Sequence, residues 1–142
     1  MKERVIKFAS SLLIILWIYT GGSKLLDFTS FEHQLALQNF SPLLTSILKY
    51  TIPITEVFTA VLLCIKITFR IGLVLSLIII GGFTVYTILV LTGFYQKIPC
   101  SCGGIIKTLS WRNHLIFNLF FLVINITALS LSIIKERRPR QV

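Results

Sequence analysis

Four apolar runs dominate this sequence and leave it few ways to fold. The first extends from Val5 to Leu26, the second from about Ile47 to Ile65, the third from about Ile71 to Phe94, and the fourth from Trp111 to Ile134. Each comes close to the ~20 residues that carry a helix across a ~30 Å hydrocarbon layer. No water is present there to satisfy backbone N–H and C=O groups, so a spanning segment bonds to itself as a helix or closes into a barrel. Runs this long and continuous favour the helix. Hydrophobic residues make up 55% of the chain and charged residues 13%, about half the charged share of a soluble domain. That leaves too little polar surface to cover a water-soluble core. The expected fold is all-α, an integral membrane four-helix bundle formed by residues 1–142 as one domain.

The formal net charge of +9 would suggest nucleic acid as the partner of a soluble protein. Here the basic residues sit at the edges of the apolar runs, which is how membrane topology is written. Lys2, Arg4 and Lys7, then Lys66 and Arg70, then Lys135, Arg137, Arg138 and Arg140 place nine on one side, against five (Lys24, Lys49, Lys97, Lys107 and Arg112) on the other. The positive-inside rule puts both termini in the cytoplasm, with no nucleic acid as partner and membrane lipids as the surroundings. In a diderm bacterium the location is the inner membrane, multi-pass, with the cysteine loop within 96–111 facing the periplasm. The first run reads as a span rather than a signal peptide, because it is long and no small-x-small cleavage site follows it.

Between the first two runs, Phe28, Phe31, Leu35, Leu37 and Phe40 give the segment 27–46 an apolar side. It is expected to lie along the outer interface as a short helix. Ser41-Pro42 then reads as a helix start, with serine as cap and proline in the first turn.

The loop before the fourth run contains Cys100-Ser101-Cys102-Gly103-Gly104. Its outward placement gives Cys100 and Cys102 an oxidising compartment. A bridge between them would close a very small ring. Unstrained disulfides favour Cα separations of ~5.5 Å, and strain makes a disulfide more readily exchanged. Gly103 and Gly104 supply backbone freedom, while Lys97 and Lys107 favour thiolate over thiol. Redox exchange is the leading reading. A structural bridge, bonds to a partner protein, and a metal site with His114 as a further ligand are the alternatives. Cys64 lies toward the opposite end of the second run and reads as a small core residue.

Polar groups inside spans are costly and therefore candidates for function. In the fourth run His114, Asn118, Asn125 and Ser132 fall within roughly 40° of one another at ~100° per residue, forming one polar stripe. In the first run Trp17, Thr20 and Lys24 share a face. In the second, Lys49 and Glu56 stand one heptad apart, with Pro53 between them as a candidate kink. Glu56 is the only acidic residue well inside an apolar run, and a buried carboxylate needs a partner. Lys24 is the best placed. Such a pair serves either as structural glue between helices or in chemistry and ligand binding. His114 is either a proton acceptor for a departing thiol or an interfacial histidine, and Trp111 fits the aromatic belt.

Three pieces of the chain, GGSKLLD (21–27), PITEVFTAVLL (53–63) and CSCGG (100–104), resemble the DoxX-like membrane proteins and, within them, the redox-associated MauE branch. The resemblance covers nearly the whole chain in order and spacing. One position departs: the branch shows Cys-x-Cys-Phe-Gly, and Gly103 stands here in place of that phenylalanine. The resemblance implies a four-helix membrane bundle with a role in thiol–disulfide chemistry outside the membrane. MauE is associated with maturing a disulfide-rich periplasmic enzyme subunit, and DoxX proteins with quinone-linked sulfur oxidation.

The function expected on this basis is thiol–disulfide exchange. Cys100 and Cys102, assisted by His114, would react with a periplasmic thiol protein or thioredoxin-like carrier. Electrons would pass to a quinone held near Lys24, Glu56, Trp111 and Asn118. The alternative is a non-catalytic assembly or maturation factor that scaffolds a partner protein. A transporter is disfavoured, because no two spans are interrupted at matching positions.

Overall fold

The computed structural model describes residues 1–38, 40–94 and 110–137, and these form five helices: α1 (Lys2–Leu26), α2 (Phe28–Ala36), α3 (Pro42–Cys64), α4 (Phe69–Leu91) and α5 (Trp111–Arg137). No strand occurs among the described residues. All but α2 are long and apolar enough to cross a membrane, so the all-α membrane bundle expected from the sequence is the fold observed. The chain is a multi-pass membrane protein.

The four long helices pack as a ring. α1 lies against α3 and α5, and α4 closes the ring against the same two. Two links tie the helix ends together at one end of the bundle. Lys135 Nζ meets Glu3 Oε1 at 2.5 Å, and Arg70 Nη2 donates to the Ser132 carbonyl at 3.1 Å. These links gather the basic ends of α1, α4 and α5, in keeping with the charge asymmetry. α2 lies at the opposite end, called the α2 end below.

The observed boundaries differ from the apolar runs where local chemistry intervenes. α3 begins at Pro42, five residues before Ile47, because Ser41 Oγ accepts from the Leu44 N–H at 3.3 Å and Pro42 opens the first turn. The serine cap satisfies a backbone donor that has no intrahelical partner. α4 stops at Leu91 rather than Phe94, because Gly93 turns to a φ of +78°. That left-handed residue lets the N–H groups of Gly93 and Phe94 fold back onto the carbonyls of Val90 and Leu89 at 3.2 and 3.1 Å, a glycine stop of the usual kind.

Side chains are arranged for lipid rather than water. Phe8, Ile15, Phe58, Ile78 and Val123 face outward, while Glu56, Thr59, Ser76, Thr87 and Asn125 are buried. Lipid tails are as apolar as leucine, so spans gain little by burying leucine. They associate through close packing and interhelical hydrogen bonds. Close packing is visible at Gly21, where an added Cβ would come within 2.8 Å of Val57 Cγ2 and 3.2 Å of the Val57 nitrogen on α3. At Gly72 it would come within 2.9 Å of the Leu63 nitrogen. Cys64 is exposed at the end of α3. This corrects its reading as a core residue: with lipid outside, a small apolar side chain loses nothing by facing outward.

The α5 stripe holds as expected, with His114, Asn118, Asn125 and Ser132 all buried. Asn125 belongs to a network between three helices. Trp17 Nε1 donates to Ser76 Oγ at 2.8 Å, and Ser76 Oγ lies 2.5 Å from the Asn125 carboxamide. With the carboxamide oxygen facing Ser76, the serine hydroxyl donates to it and the Asn125 nitrogen donates to the Leu73 carbonyl at 3.1 Å. Asn125→Leu takes away the acceptor of the Ser76 hydroxyl proton and leaves Trp17 as the partner of that serine. It is expected to destabilise the bundle by about 1–3 kcal/mol, the cost of orphaned buried polar groups, read as a lowered Tm in detergent.

Candidate functional site

The Lys24–Glu56 pair anchors the site. Near its C-terminal end α1 presents Lys24 toward α3, and Gly21, one turn earlier, lets the two backbones approach closely enough for the side chains to meet. Lys24 Nζ donates to both Glu56 oxygens, at 2.8 and 2.9 Å, and to the Thr20 carbonyl at 3.2 Å. All three ammonium protons are thereby used. Glu56 is 1% exposed, so the partnership anticipated from the sequence is a buried one. The ring of Phe31 on α2 lies 5.8 Å from the ammonium, a cation–π contact that shields it further.

α2 covers this end of the bundle. Asp27 caps it, accepting from the Ser30 N–H at 3.3 Å, and Phe31 and Leu35 are its buried residues. Leu37, read with them as part of the apolar side, is exposed instead. Lys49 turns away from Glu56 and pairs with Glu32 of α2 at 2.6 Å. Phe28 stacks on Tyr50 with centroids 5.5 Å apart. Gln38, just beyond α2, is buried, and its Oε1 accepts from the Tyr86 hydroxyl of α4.

Beneath α2 lies a cavity of about 410 Å³, within the ~300–1,000 Å³ range of small-molecule sites. Its wall is mainly apolar, with Leu16, Phe31, Leu35, Ile52, Phe83 and Phe117 among the lining side chains. Its polar groups come from all four long helices, with Lys24 and Thr20, Glu56 and Thr55, Tyr86, and His114 and Asn118, and from Gln38 beyond α2. Lys24, Glu56, His114 and Asn118, the candidates separated widely in sequence, therefore meet in one place. Trp111 does not line the cavity. It stands beside it, with its ring 6.1 Å from Tyr86 and 6.5 Å from His114. Cys100 and Cys102 lie outside the described residues.

Among the described residues, two buried side-chain atoms have no hydrogen-bond partner, Thr20 Oγ1 and His114 Nδ1, and both residues line this cavity. Most other buried polar groups here are satisfied. Thr59, Thr84 and Thr87 each donate to the carbonyl four residues back, at 2.7 Å. Asn118 Nδ2 reaches Thr87 Oγ1 at 3.4 Å. A buried orphan costs about 1–3 kcal/mol, so two on one cavity wall mark where a ligand's polar atoms would be received. Among the described residues no three His, Cys, Asp or Glu side chains are grouped to hold a metal ion.

Sequence reasoning placed Thr20 on the Lys24 face but did not single it out, and it missed Gln38 and Tyr86. For Thr20 the available signal was its spacing of one turn from Lys24. Gln38 and Tyr86 carry no periodic signal, since one lies outside the spans and the other could have faced lipid.

Comparison with known proteins yields a family match: the model of the family described as methylamine utilisation protein MauE aligns with residues 2–131. It bears out the MauE side of the resemblance and adds nothing on the wider DoxX-like grouping. No curated protein and no solved structure matches the chain.

Proposed function

The chain belongs to the MauE family, and from that premise we propose that it is a bacterial inner-membrane thiol–disulfide redox protein acting in maturation of an exported protein. One observation carries the reading. A cavity with two unpartnered polar atoms lies at the α2 end, where α4 ends and α5 begins, and the segment bearing Cys100 and Cys102 joins those two helices. Cys102 is nine residues from Trp111 in the chain, a length of chain that reaches at most about 30 Å from the start of α5.

In this reading the Cys100–Cys102 disulfide exchanges with two thiols of an exported protein or thioredoxin-like carrier. A thiolate of the client attacks one sulfur to form a mixed disulfide, and the second client thiolate releases it. The client gains a disulfide, and Cys100 and Cys102 become thiols, for a transfer of two electrons and two protons. The chemistry a bound quinone supplies is acceptance of the two electrons and two protons released when the dithiol returns to disulfide. The residues facing the cavity suit a quinone headgroup. Apolar side chains enclose a ring, and His114 Nδ1 is free to donate or accept a hydrogen bond according to tautomer. Lys24 and Glu56 neutralise each other, Asn118 is held by Thr87, and Trp111 flanks His114.

Alkylation of free thiols in intact cells, followed by mass spectrometry, tests this directly. Cys100 and Cys102 are expected to be oxidised in respiring cells and reduced when respiration is blocked. A pair locked in one state under both conditions would reject the redox cycle and leave the assembly-factor reading in its place.

A further inference from the structure

The cavity has a side as well as an end. Gly72 sets α4 against the α3 backbone near the short connection between them, where an added Cβ would come within 3.0 Å of the Leu62 carbonyl carbon. Farther along α4 the contact is lost. An added Cβ at Gly82 would meet nothing within 4 Å, yet Gly82 lines the cavity. The partner helix behaves the same way. Ile52 precedes Leu63 by eleven residues, about three helical turns, so both lie on one face of α3. Leu63 on that face packs against α4, whereas Ile52 lines the cavity. The helices thus touch at one end and stand apart toward the α2 end. Ile78 belongs to the cavity wall and is also 65% exposed on the outside of the bundle. A side chain can do both only where the wall meets the lipid.

The polar subsite limits what comes through that opening. Lys24 and Glu56 satisfy each other and carry no net charge between them, so a charged headgroup would lose its hydration with no counter-charge to receive it. The unpartnered atoms are a hydroxyl and an imidazole nitrogen, groups that bond to carbonyl or hydroxyl oxygens. His114 is 6% exposed and lines the cavity. The Thr20 hydroxyl differs from those of Thr51, Thr55, Thr59, Thr84 and Thr87, which all bond to the carbonyl four residues back.

We propose that the cavity is a binding site entered laterally from the bilayer between α3 and α4, past Gly82 and Ile78, for a neutral amphiphile whose carbonyl or hydroxyl oxygen is held by Thr20 Oγ1 and His114 Nδ1. Its identification with the electron acceptor rests on the redox reading above. The site itself rests on the cavity alone.

The test uses the full chain in detergent, with binding followed by quenching of tryptophan fluorescence, since Trp17 lines the cavity. The probes are a short-chain ubiquinone, a monoacylglycerol offered as its competitor, and oleate as an anionic control. Saturable ubiquinone binding is expected, with competition by the monoacylglycerol and none by oleate. Thr20→Val and His114→Leu are each expected to weaken binding on the order of three- to tenfold, one hydrogen bond's worth. Thr20→Val should not lower the Tm of the ligand-free protein, because it removes a hydroxyl that has no partner there, and His114→Leu should cost no more than its ring contact with Trp111. Gly82→Phe should slow association several-fold. Gly81→Phe, on the same helix with equally open space at its Cβ but outside the cavity wall, should not.

Two results would overturn the site: no saturable binding of either neutral probe, or a loss of Tm in Thr20→Val and His114→Leu with affinity unchanged. Equal association rates for the Gly82 and Gly81 variants would overturn the lateral route. Binding of the monoacylglycerol without ubiquinone would uphold the neutral-amphiphile site and reject the quinone. Cysteines that fail to cycle in a protein that binds ubiquinone would reject the redox reading and leave the site standing.

Discussion

Lys24→Met is expected to destabilise the bundle by about 3–5 kcal/mol, because it strands a buried carboxylate. Both Glu56 oxygens bond to the Lys24 ammonium, and the two side chains are 9% and 2% exposed. The carboxylate is held in the bundle interior, and α1 and α3 are too close at Gly21 to rearrange around it. Glu56→Leu should cost less. The stranded ammonium keeps the Thr20 carbonyl at 3.2 Å and the face of Phe31 at 5.8 Å. The double variant Lys24→Met/Glu56→Leu should recover most of the loss, because an apolar pair of similar volume carries no charge to desolvate. Thermal unfolding of the four proteins in detergent gives the interaction energy directly. A double variant as unstable as Lys24→Met would show that the pair matters for its shape rather than its charge.

The second large effect belongs to Gly72. Gly72→Leu is expected to cost about 3 kcal/mol, at the upper end for overpacking, and to loosen the α3–α4 contact. Its Cβ alone would come within 2.9 Å of the Leu63 nitrogen and 3.0 Å of the Leu62 carbonyl carbon. These are backbone atoms in a helix and cannot rotate away as a side chain could. Gly82→Leu, ten residues along the same helix, meets open space and should change the Tm little. The contrast tests whether α3 and α4 are pinned at one end and apart at the other, the geometry that opens the cavity to lipid. Equal losses at both positions would mean that the two helices pack along their whole length.

Much of this site was legible in the sequence, for one reason. Polar residues in a span are expensive, so each asks for an explanation, and the helical period says which of them share a face. That logic placed Trp17, Thr20 and Lys24 together, paired Lys24 with Glu56, and aligned His114 with Asn118, Asn125 and Ser132. It failed where the partner lay off the spans or the face was ambiguous. Lys49 shares the Glu56 side of α3 but reaches Glu32 of α2, because α2 folds over that end and brings a carboxylate nearer than the next heptad does. Cys64 reads as core by residue type, yet it is exposed at the end of α3, because in a membrane bundle apolar character carries no inward preference.

The sequence by itself determined the number of spans and the polar face of each, since run length and helical period are local properties. Tertiary structure decided which faces meet and how closely. Gly21 and Gly72 bring α3 against α1 and α4 at particular points, and the gap left beyond Gly72 is the cavity. Whether a hydroxyl such as that of Thr20 finds a carbonyl or is left facing that gap depends on side-chain rotation and helix spacing, set jointly by contacts from several helices. No stretch of chain carries that information alone.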